Sequence, residues 1–106
     1  MIKIKVPIFT GNIKIVSDKE WLKVFPNDEI HPLDNGYCST ANGELYIWIN
    51  EKTKTVGTLA HECLHAVNRI LDSKGMTATI SDDETQAYLL AWLVDKLYPI
   101  YFKDKQ

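Results

Sequence analysis

Apolar and polar side chains alternate at the start of the chain, "IKIKVPIF", with Ile2, Ile4, Val6 and Ile8 on one face and lysines opposite. A period of two lines one face of a pleated strand, so Ile2 to Phe9 is expected as a half-buried strand. Pro7 cannot donate to a ladder and points to a sheet edge. After Gly11 and Asn12, the apolar run Ile13 to Val16 leads into "SDKEWLKVF". There Ser17 or Asp18 can cap a short helix carrying Trp21, Leu22 and Phe25, ended by Pro26. Residues 26 to 36 hold Pro26, Pro32, Asp28, Asp34, Asn35 and Gly36 and read as the longest irregular stretch. In "GYCSTANGELYIWIN" the Asn42-Gly43 dipeptide tolerates positive φ at both positions, which predicts a hairpin with arms near 37–41 and 44–50.

The period then changes. Val56, Ala60, Cys63, Leu64, Val67 and Leu71 recur at helical spacing from Thr53 or Thr55 to Lys74, and Gly75 supplies a stop. A short extended piece, Thr77 to Ile80, precedes "SDDETQAYLLAWLVDKLY", a second helix expected to be capped by Ser81 and halted by Pro99. The charged end "KDKQ" is expected to be solvated. Together these predict an α+β fold: a small, mostly antiparallel sheet, a long helix across it, and a second helix packed on the first.

Bulk properties narrow the function. A length of 106 residues predicts one domain spanning 1–106, and 45% apolar with 25% charged residues is ordinary for a globular protein. The formal charge of −2 and the single arginine, Arg69, argue against nucleic acid as a partner. No apolar run reaches membrane-span or signal-peptide length, so a cytoplasmic protein without a membrane partner is expected. Cys38 and Cys63 make no disulfide framework, and Cys63 is expected to pack as a small core residue.

The chemistry concentrates in "TLAHECLHAVNRI". Helical residues four apart lie one turn above each other, so the imidazoles of His61 and His65 can converge on one metal ion. Glu62 points to a neighbouring face, where a carboxylate serves as a base toward water at the metal rather than as an equal ligand. His61, His65, Asn68 and Asp72 form a polar stripe beside an apolar face of Ala60, Leu64, Val67 and Leu71, which puts the histidines at the edge of the core. Catalytic zinc generally takes three protein ligands and keeps a fourth place open. Glu84 is the expected third ligand: eighteen residues separate it from His65, enough for a second helix to return. Asp82 and Asp83 are its rivals, and Ser81 with Glu84 could instead form a capping box. Glu84, Ala87, Tyr88 and Ala91 make one stripe that would face the metal, the alanines permitting close helix approach. A closed structural site joining His31 and Cys38 to the pair is the alternative ligand set.

"HECLH", eighteen residues, then "ETQAY" resembles the gluzincin metallopeptidases, whose pattern is HExxH on one helix and a glutamate ligand on the next. The likeness is to their smallest members, single-domain minigluzincins and small phage-encoded metallopeptidases, and covers mainly residues 44 to 92. It implies a zincin-like fold with Zn2+ held by His61, His65 and Glu84, and with Glu62 as general base in peptide-bond hydrolysis. It also implies a peptide or protein substrate pairing with the strand Glu44 to Asn50. The chain has Tyr88 where thermolysin-like members carry an aspartate. It also lacks their downstream oxyanion-steadying segment, leaving Tyr37, Tyr46, Tyr88 and Tyr101 as candidates for that role. The competing expectation is a catalytically silent or latent module of the same fold that engages a host protein partner. In a latent form, "LYPIYF" would fold over the cleft.

Overall fold

The computed structural model describes residues 1–7 and 11–102. The expected strand's far end, at Ile8 and Phe9, and the "KDKQ" end lie outside the described residues. The backbone forms two compact units, Met1–Thr53 and Lys54–Gln106.

In the first unit the alternating segment forms β1 (Ile2–Lys5), paired antiparallel with β2 (Asn12–Ile15). Ser17 caps α1 (Asp18–Val24) through a capping box: its hydroxyl accepts from the Glu20 amide, and its own amide donates to Glu20 Oε1 at 2.9 Å. Asn42 and Gly43 adopt φ of 53° and 76°, the left-handed pair a two-residue hairpin needs. They join β3 (Gly36–Ala41) to β4 (Glu44–Ile49), with Ala41 opposite Glu44.

The strand order is β1-β2-β4-β3 with β2 and β4 parallel, so the sheet is mixed, its other two pairings antiparallel. This bears on the strand Glu44 to Asn50, expected to pair with a peptide. β4 is an interior strand whose edges are taken by β2 and β3, leaving no unpaired edge along Leu45–Ile47 for an extended peptide. The edges of this sheet are β1 and β3.

One face of the sheet carries an aromatic core. Val16, Trp21, Tyr46 and Trp48 are buried together, with Phe25, Ile30 and Tyr37 against them; Tyr37 stacks on Trp48 at 5.2 Å between centroids. Their polar tips need acceptors, and aspartates supply them. Trp21 Nε1 donates to Asp28 at 3.0 Å, Trp48 Nε1 to Asp18 at 2.5 Å, and the Tyr37 hydroxyl to Asp34. Asn50 fastens the same stretch by donating to the Asp34 carbonyl at 2.9 Å. The irregular stretch is thus tied down by carboxylates that the aromatic donors require.

The Tyr37–Asp34 contact has a measurable consequence. The hydrogen bond to the Asp34 carboxylate, helped by desolvation, pushes the Tyr37 phenol up to about 12, because ionisation would set two anions side by side. Asp34→Asn keeps an acceptor but removes the charge, so the Tyr37 titration should fall toward the ordinary value near 10. Ring-carbon NMR shifts against pH follow it; an unmoved midpoint would remove Asp34 as the cause.

In the second unit Thr55 caps α2 (Val56–Ser73), accepting from the Thr58 amide, and Gly75 turns the chain away at φ 69°. Thr79 and Asp82 then close a two-residue turn through reciprocal backbone hydrogen bonds of 3.2 and 3.1 Å. Ser81 sits within that turn and is not the cap of the next helix. Asp83 precedes α3 (Glu84–Phe102), and its carbonyl receives the first helical bond, from Ala87. Pro99 does not halt α3, which continues through it to Phe102. The helices pack on one another. No helix among the described residues is long and apolar enough to cross a membrane.

Candidate metal site

On α2 the buried positions are Leu59, Glu62, Cys63, Ala66, Val67, Ile70 and Leu71. At about 100° per residue they centre near Leu59, Cys63 and Ile70, and His61 and His65 fall roughly 150° or more away from that centre. The histidines are therefore on the solvent face, not at the core boundary expected from the apolar spacing. Leu64, expected in the core, is 39% exposed, and the His61 side chain is 66% exposed.

The two imidazoles nevertheless meet. Their Nε2 atoms stand 3.1 Å apart and the rings lie edge to face at 78°. Zinc–imidazole bonds of 2.0–2.1 Å at a tetrahedral angle set two ligand nitrogens about 3.3 Å apart, so the pair has the bite of two ligands to one ion. The same separation also suits a hydrogen bond between neutral rings, with one donating and the other accepting. The two states differ in where the lone pairs point, at one another in the hydrogen bond and at a common ion in chelation.

Glu62 is the exception on the buried face, 5% exposed, with Oε2 4.0 Å from His61 Nε2. Burial pushes its carboxyl above the ordinary value, opposed by the charge that His61 and His65 carry when protonated. One residue's rotation around α2 thus sets a shielded carboxylate beside an open imidazole pair.

Glu84 is the first residue of α3 and exposed, as are Ala87, Tyr88 and Ala91 of its stripe, with Tyr88 at 58%. α3 buries Leu89, Leu93, Leu97 and Tyr101 instead. Asp82 closes the preceding turn through its backbone, and Asp83 starts the helix. Among the described residues no three His, Cys, Asp or Glu side chains are gathered for a metal. The residue on α3 that does reach the histidine stripe is Gln86, whose Nε2 donates to Asn68 Oδ1 at 2.7 Å. The HExxH-x18-E spacing points to Glu84, two residues before Gln86 on the same helix. Asn68's place on the stripe, three residues after His65, is the sequence signal that could have found it.

Compared with protein-family models, curated proteins and solved structures, the chain matches none.

Proposed function

We propose that the chain is a zinc-dependent peptidase whose chemistry centres on His61, Glu62 and His65, with Glu84 as third ligand. The observation that carries the reading is the 3.1 Å approach of the two imidazole nitrogens beside a buried carboxylate. Zinc held there would polarise a scissile carbonyl and make water acidic near neutral pH, at about 7. Glu62 takes a proton at its carboxylate and returns it to the leaving amine, and its burial keeps it from exchanging that proton freely with bulk water. His61 and His65 bind and orient. Glu84 completes the set only if the first turn of α3 comes to the pair, so its role is tested apart from theirs.

Purified protein should carry near-stoichiometric zinc. His65→Ala should weaken binding by on the order of 100-fold or more, since even outer-shell partners are worth 10–100-fold. Glu84→Ala should weaken it too, and an unchanged zinc affinity in that variant would strike Glu84 from the ligand set. Wild-type protein that takes up no zinc would end the reading.

A second reading, a catalytically silent module that engages a host protein, is favoured by the exposed position of Glu84. Zinc uptake without cleavage of any member of a peptide library would select it.

A further inference from the structure

The resemblance supplies main-chain recognition of a substrate through the edge of Glu44 to Asn50, and β4 has that edge already paired. A peptide at the histidines therefore needs another source of backbone hydrogen bonds. Asn68 and Gln86 have the chemistry for it. Asn68 follows His65 by three residues on the same exposed stripe of the helix, so the two positions are neighbours one turn apart. Its Oδ1 accepts from Gln86 Nε2 at 2.7 Å, and that bond fixes which end of each amide faces outward. The pair then presents a donor, Asn68 Nδ2–H, and an acceptor, Gln86 Oε1. One donor beside one acceptor is the complement of a peptide group.

We propose that Asn68, aimed by Gln86, binds the backbone of a peptide beside the histidine pair, donating to a carbonyl oxygen while Gln86 Oε1 accepts from an amide. The ligand class is an extended peptide recognised through its main chain, and the assignment rests on the zinc-peptidase reading above. Asn68 is the substrate-binding residue and Gln86 the positioning one. The hydrogen bond between their side-chain amides ties α2 to α3, so the same two residues also have a structural role that the test must separate.

Asn68→Asp makes that separation, because aspartate still accepts from Gln86 but has no N–H to give a ligand. Two probes are titrated calorimetrically into zinc-loaded protein: acetohydroxamate, which offers only a metal-binding group, and a peptidyl hydroxamate carrying two residues of backbone. Wild type should bind the peptidyl probe more tightly. In Asn68→Asp and Asn68→Ala that preference should shrink about tenfold, the worth of one hydrogen bond near the upper end of its range. Acetohydroxamate affinity serves as the internal reference, since the added charge of the aspartate acts on both probes and cancels in their ratio. A preference unchanged in Asn68→Asp overturns the proposal, and so does wild-type protein that binds both probes alike. Protein that holds no zinc overturns the peptidase reading instead, an outcome visible before any probe is added. Thermal unfolding of Asn68→Asp within a few degrees of wild type confirms that the bond to Gln86 is kept.

Discussion

Glu62→Gln should remove the proposed peptide hydrolysis and leave zinc content at the wild-type level. The two side chains have nearly the same shape, so packing around this 5% exposed position is retained, and a neutral amide tolerates burial better than a carboxylate. What is lost is the ability to take up a proton. General base catalysis contributes roughly 10²–10⁴-fold, and a fall of that size in turnover at constant metal content separates proton transfer from metal holding. His65→Ala is the converse variant, losing metal and turnover together. Cleavage at an undiminished rate in Glu62→Gln would take the base role from Glu62. Parallel loss of zinc would show that Glu62 holds the ion.

The hairpin and both long helices are legible in the chain, and Ser17 is one of the two caps it offers for α1, because each is set locally, by Asn-Gly chemistry, side-chain capping and the 3.6 period. The position of β4 inside the sheet is not, since a parallel pairing with β2 joins segments thirty residues apart and leaves no mark on either one. The histidine pair was legible for the same local reason: four residues on one helix fix its geometry whatever packs around it. The distance of Glu84 from the pair is not set locally, because it depends on where α3 starts and which face it turns inward. Thr79 and Asp82 close a turn that uses up Ser81 and delays the helix to Glu84. Leucines every fourth residue then turn the Glu84–Ala87–Tyr88–Ala91 stripe outward. The apolar spacing on α2 misled in a related way, since Leu64 fits the period of the core yet is 39% exposed, whereas Glu62 is polar yet buried.

Leu97→Ala should be the most destabilising of the substitutions considered on α3, by about 2–5 kcal/mol, since it empties a fully buried site in the row Leu89, Leu93, Leu97. Tyr88→Ala, on the face that the spacing had assigned to the metal, should change stability by no more than about 0.5 kcal/mol, because the ring is 58% exposed. Denaturant unfolding of the two variants reads the orientation of α3 directly; a larger loss for Tyr88→Ala would reverse the faces. The same packing explains why Pro99 fails to stop the helix. Proline inside a helix removes the hydrogen bond to the carbonyl four residues back, here that of Asp95, and costs ~3 kcal/mol. Leu97 and Tyr101 are both buried on either side of it, at 0% and 6% exposure, and Tyr98 stacks on Phe102 at 5.2 Å across the proline turn. Burial of one leucine and one tyrosine is worth several kcal/mol at about 25 cal/mol per Å² of apolar surface, enough to offset the missing bond. Leu97→Ala therefore withdraws part of what carries α3 past Pro99, and the last turn should fray as the core loosens. Amide exchange at Tyr101 and Phe102 should rise more than at Leu89, since the first half of α3 has no proline to offset.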